Sequence, residues 1–349
     1  FLAVAISALL SSCNKSDNPE PFPIFEGKVI VINEGNFSEQ SGSISLYNEN
    51  TGEMKNRAFE DANGFSIGAS IVSASVAPSG HALLVCNNPN KIVIVDPRNM
   101  KSAFTPITQH VSNPRNTIVT NGRVLVTNWG TDYIVNEFGF WEFNKSYISV
   151  YDAMDLKYIK KFDVGTDVEG IVSYGSKIFV ATKEGVKVYE TFADNFTLLS
   201  TISLEGGAAA KHFAFDKMAN LWVSFPGVGV VQISPEALTV EKIVSVPVDF
   251  MSGYISGDGD KVYTFNTVYD NNYMPVESTI YAVDILSGAV TEFYKGTQFY
   301  GLGVSPKTGN IFTAEVSFTS NSVMKVVGKN GMEVNSRAAG IGTNRFLFY

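Results

Sequence analysis

Short apolar runs that climb out of a tight turn and stop at a polar residue recur along the whole chain. The first, KVIVINEGN, occupies Lys28 to Asn36. Six more follow: HALLVCN ending at Asn87, RVLVTN at Asn128, KIFVAT at Thr182, NLWVSF at Phe225, KVYTFN at Asn266 and NIFTAE at Glu315. Turn signals stand in front of them, among them Pro78-Ser79-Gly80, Asn121-Gly122, Gly175-Ser176 and Lys307-Thr308-Gly309-Asn310. Gly, Asn and Asp supply the positive backbone angles that tight hairpins demand. Ahead of each turn lies an inner strand such as NTIV, HFAF or GLGV. Behind each apolar run comes a third strand, such as SISLY, KIVIVD or YISVYD, and often a more polar fourth, such as KYIKKFDV. Four strands recurring every roughly 40 to 50 residues predict an all-β, seven-bladed β-propeller over 26–349.

The first unit begins at its turn, Glu26-Gly27-Lys28, and so lacks an inner strand. The last residues, NRFLFY (Asn344 to Tyr349), align with an inner strand and then stop. Pairing the two ends would close the ring and leave no open sheet edge, the usual hazard of β proteins.

Charged residues make up 17% of the chain and hydrophobic ones 45%, enough for a large core. A net charge of -8 argues against nucleic acid, whose binding rests on cations neutralising phosphates. Cys86 ends the run LLVC and reads as a small buried hydrophobe. Cys13 follows FLAVAISALLSS, too short to span a bilayer, and Leu10-Ser11-Ser12-Cys13 matches a bacterial lipobox. Residues 1–12 then read as part of a signal peptide and Cys13 as the lipidated residue. Residues 13–25, polar and proline-rich, form an extended tether. A signal peptide with a chance cysteine is the alternative. Lipidation would attach the domain to a membrane by its anchor alone.

Blade geometry suggests that Asn33, Asn87, Asn128, Thr182, Phe225, Asn266 and Glu315 ring one mouth of the central channel. Their mostly neutral donors and acceptors would either cap strand ends and hold waters or line a pocket for a polar ligand. Two long loops on that face are aromatic. Asn128 to Ser146 carries Trp129, Tyr133, Phe138, Phe140, Trp141 and Phe143; Asn266 to Ser278 carries Tyr269, Tyr273 and Met274. The link 296–300 adds Phe299 and Tyr300. Such loops serve as a contact surface or pack on themselves. Enzyme signatures are thin. His81, His110 and His212 lie far apart, no nucleophile elbow or phosphate loop occurs, and no cofactor is expected. Glu315 with Glu34 would make at most a weak metal site. Gly257-Asp258-Gly259-Asp260 fits a hairpin turn better than a calcium loop.

The lipobox, the proline-rich tether, Asn33-Glu34-Gly35-Asn36 and the closing NRFLFY strand together resemble the YncE-like, DUF5074-type propeller lipoproteins of Bacteroidetes. That group includes the vitamin B12-capturing lipoprotein BtuG, which sits over a TonB-dependent outer-membrane transporter. The resemblance implies a non-catalytic protein, lipid-anchored in the outer membrane at the cell surface, that captures a small polar ligand such as a cobamide for such a transporter. An adhesion module using the Trp129 to Phe143 loop is a second expectation. A propeller hydrolase or lyase acting through Glu315 and Glu34 is a third.

Overall fold

The computed structural model describes residues 27–137, 139–192 and 195–349. The signal segment, Cys13, the tether, Glu26 and Phe138 lie outside the described residues. Seven four-stranded antiparallel sheets make up the domain, and a short extra hairpin, Tyr133–Val135 with Trp141–Phe143, rises from the third. Each blade runs outward from an inner strand. In the third, Pro114–Thr120 is innermost, followed by Arg123–Asn128, Ser146–Asp152 and Tyr158–Gly165.

The apolar runs are continuous rather than alternating because both faces of each blade are covered by neighbouring blades. In Lys28–Asn33, Ile30 and Ile32 pack toward the second blade with Leu84, Cys86 and Val93. Val29 and Val31, pointing the other way, meet Phe312, Met324 and Val326 of the seventh. Seven such clusters fill the seven blade interfaces. With period-two side-chain alternation, one strand therefore serves two interfaces.

Local chemistry sets the turns. Asn121 and Gly122 both take positive φ (49° and 71°), as a two-residue hairpin requires. In the fifth blade Ala219 is forced to φ 61°, and the Asp216 carboxylate holds that turn. It accepts from the Met218 and Asn220 amides at 2.8 and 3.0 Å and from the Trp222 indole N–H at 3.0 Å. Gly257 to Asp260 is likewise a turn: Asp258 accepts from the amides of Asp260 and Lys261 and from the Tyr263 hydroxyl.

Ring closure follows the expected pairing. Thr343–Phe348 is the inner strand of the first blade, with Val29 opposite Phe348, Ile30 opposite Leu347 and Val31 opposite Phe346. The seam is stitched by Asn33-Glu34-Gly35-Asn36. Asn33 Oδ1 accepts from the Thr343 hydroxyl at 2.7 Å and the Gly340 amide at 3.0 Å, while its Nδ2 donates to Ser45 at 3.0 Å. The Glu34 and Gly35 amides donate to the carbonyls of Gly342 and Ile341. Gly35, at φ 83°, lies so close to Ser41 and Gly42 that a Cβ would come within 2.3 Å of their backbone. Asn36 then caps the loop by accepting from the Glu39 amide.

Candidate functional site

A cavity of about 720 Å³ opens at one end of the central channel. Its floor is made by residues at, or one or two positions ahead of, the start of the inner strands. Arg345, Val72, Arg115, Glu169, His212, Tyr254 and Tyr300 come one from each blade. Register shifts near these positions (Pro114 to Asn116, Tyr300 to Leu302) break strict alternation there. Such bulges re-aim side chains, here toward the axis.

The floor is charged and tightly organised. Glu169, 4% exposed, accepts from Arg115 Nε at 2.9 Å and from Lys211 Nζ at 3.1 Å. Burial alone would raise its carboxyl, but the charges of Arg115 and Lys211 outweigh that and hold it at about 2. Glu34 accepts from the Tyr300 hydroxyl at 2.8 Å and from Asn344 Nδ2 at 3.3 Å. Burial pushes its carboxyl above the usual range despite those partners. His212 stacks on Tyr254, with ring centres 5.1 Å apart, and its pKa lies well below the ordinary value, first through burial and next through the Arg345 charge. The Arg115 guanidinium lies over Trp129 at 3.9 Å and that of Arg345 over Tyr254 at 4.4 Å.

The rim departs from the expected ring by one residue. Of the seven strand-end positions only Asn87 lines the cavity. Asn33 and Asn128 are fully buried in hydrogen bonds of their own blades, and Thr182 donates to the Gly185 carbonyl. Phe225 is core between the fourth and fifth blades. Asn266 sits within its strand opposite Thr279, and Glu315 is engaged by the Thr297 amide and Lys325. These side chains still occupy blade interfaces; only the next residue, where the chain leaves the sheet, is free to turn inward. Accordingly Glu34, Trp129, Lys183, Pro226 and Val316 line the cavity instead.

Of the aromatic candidates, Trp129, Trp141, Tyr269 and Tyr300 line the cavity, whereas Tyr273 is 88% exposed at a hairpin tip away from it. The long loop does two things at once. Trp129 stacks on buried Phe143 with centres 4.7 Å apart, while Phe140 and Trp141 stay largely exposed over the mouth. Phe250, Met251 and Phe318 complete an apolar rim. Sequence reading missed the floor cations and His212. Their one signal was pairs ending in a polar residue at or just ahead of the start of inner strands, such as Pro114-Arg115, Lys211-His212 and Asn344-Arg345.

Among the described residues no group of three or more His, Cys, Asp or Glu side chains is placed to hold a metal ion. Glu34 and Glu315 have separate partners. Cys86 is buried, its thiol pushed up to about 12, and it plays no part in the cavity.

The family model for DUF5074, a domain of unknown function, matches residues 27–337. The chain belongs to the DUF5074 family. No curated protein matches it. Among solved structures, this DUF5074 chain is similar to a quinonprotein alcohol dehydrogenase-like protein from Bacteroides thetaiotaomicron VPI-5482. The TM-score is 0.66 at 13% identity, covering 93% of this chain and 78% of that one. A Bacteroides fragilis NCTC 9343 protein proposed as a 6-phosphogluconolactonase gives 0.67 at 11% identity, covering 94% and 99%. Apo AztD from Citrobacter koseri gives 0.59 at 9%, covering 92% and 97%. At such identities the likeness shows a shared propeller fold and nothing of the ligand.

Proposed function

We propose that this DUF5074 propeller is a ligand-capturing protein that holds a small polar molecule in the channel mouth, tethered to the outer membrane through Cys13 and serving a TonB-dependent transporter. The observation that carries the binding reading is the 720 Å³ cavity, apolar at its rim and polar at its floor. Ligand sites have this size and make-up. Within it, Trp129 Nε1 and Asn87 Oδ1 are buried without a hydrogen-bond partner, and such groups are costly unless something satisfies them. The anchor and the transporter rest on the lipobox and the family resemblance.

A cobamide is the specific version. A corrinoid exceeds the cavity, so it would lie partly above it, its flat macrocycle against Phe140, Trp141 and Phe250. Calorimetric titration of cobalamin is expected to give saturable heat that weakens about tenfold in Trp141→Ala, since stacked rim aromatics dominate such contacts. No heat at high micromolar ligand would remove the cobamide. The wider capture reading is checked by dialysing the protein against bacterial extract and identifying retained small molecules by mass spectrometry. Retention of nothing beyond what the heat-denatured protein retains would sink it.

The buried Glu34–Tyr300 pair favours a second reading, a hydrolase or lyase in which the Glu34 carboxyl, raised by burial, donates a proton. Turnover on lactone and ester panels that disappears in Glu34→Gln would support it over capture.

A further inference from the structure

The floor holds more positive charge than its carboxylates use. Glu169 answers both Arg115 and Lys211, and the Glu34 carboxylate is bonded to Tyr300 and Asn344. Arg345 stands apart. Its guanidinium lies over Tyr254, its Nε is buried without a partner, and no described residue gives the group a hydrogen bond or an ion pair. A buried N–H without an acceptor is costly, and the half-buried guanidinium that carries it is a planar fork shaped for two parallel bonds to an oxyanion. The cavity wall also carries Glu142, Asp167 and Asp249; Glu142 pairs with Lys183 and Asp249 accepts from Ser252, whereas the Arg345 charge over Tyr254 has no such partner among the described residues.

The surroundings narrow the choice. Trp129 Nε1 adds a second idle donor at the wall, and Asn87 Oδ1 an idle acceptor. Aromatic faces lie alongside: Tyr254 beneath Arg345, Trp129 beneath Arg115, and Trp141 at the mouth. The depressed pKa of His212, lowered by burial and then by Arg345, Lys211 and Arg115, agrees with a positive potential at the floor.

We infer that the captured ligand is a small organic acid with a planar or ring-shaped body: its carboxylate descends onto Arg345 and its body lies against Trp129 and Trp141. This deepens the capture reading and rests on it. The ring supplies apolar area, and the guanidinium supplies selection for negative charge at the inner end.

The test uses a shape-matched pair of probes, the anion 2-naphthoate and its neutral amide 2-naphthamide, titrated into the protein by calorimetry. Naphthoate is expected to bind at least about tenfold more tightly than the amide, the scale of a charge-assisted hydrogen bond. Arg345→Gln should erase that preference. Arg345→Lys, which keeps the charge and loses the fork, should retain part of it and guards against a glutamine variant that fails to fold. Equal binding of the two probes, or a preference untouched in both variants, overturns the inference while leaving capture standing. Binding of neither probe to the wild-type protein overturns the inference as well, and the extract experiment then decides whether capture survives.

Discussion

Removing Arg345 to Tyr349 is expected to cost the whole domain its cooperative melt, not merely to fray one edge. The deleted residues supply most of the inner strand of the first blade, and their loss strips the partner from Val29, Ile30 and Val31. Phe346 and Leu347 are 7% and 8% exposed, and burial of each contributes about 1.5–3 kcal/mol. The two lie in different interfaces, Phe346 against the seventh blade and Leu347 against the second, so two seams open together. Added to the lost strand pairing, the deficit is about 5 kcal/mol or more, comparable with the entire stability of many domains. A midpoint lowered by about 10 °C or more, or no cooperative transition at all, is the expected thermal scan. A truncated protein melting with the intact one would mean that the ring is not held shut there.

The second large effect concerns Glu169. Replacing it with glutamine leaves Arg115 and Lys211 facing each other at the channel floor without their counter-charge. Breaking a buried ion pair on one side costs about 3–5 kcal/mol. The pH dependence has a definite sign. Glu169 is held at about 2 when folded, below its ordinary value near 4.5, so its contribution is fully present above pH ~4.5. That contribution drains away as the pH falls toward ~2, and its size at neutral pH is on the order of 3 kcal/mol. Thermal midpoints of the wild-type protein and Glu169→Gln, followed from pH 7 downward, should converge through this window. Curves that stay parallel would show that the ion pairs contribute nothing to stability.

The architecture was legible because it depends on repetition. The apolar run of Lys28–Asn33 needs to be continuous when Ile30 and Val31 serve opposite interfaces, and seven such runs can only be reconciled by a ring. Closure was legible too, since the missing inner strand and the surplus terminal one were visible at the two ends. The floor was not. Arg115 and Arg345 lie at bulges that defeat period-two counting, Glu169 and His212 lie just ahead of their inner strands where no alternation applies, and their chemistry appears only when different blades are brought together. The rim was misplaced by a single residue for a related reason. Counting to the end of the strand stops inside the blade interface, whereas Glu34, Trp129 and Lys183 lie one step beyond.

The asparagine-stitched seam also sets when the cavity is complete. Glu34 follows directly on the strand Lys28–Asn33 and Arg345 lies in the strand Thr343–Phe348, yet both line the same cavity. The cavity is therefore incomplete until Thr343–Phe348 has paired with Lys28–Asn33. Whatever occupies that mouth would hold the ends together, so saturation should slow opening of the ring in proportion to occupancy. Proteolytic nicking at this junction would break open the cavity and unlatch the scaffold in one event.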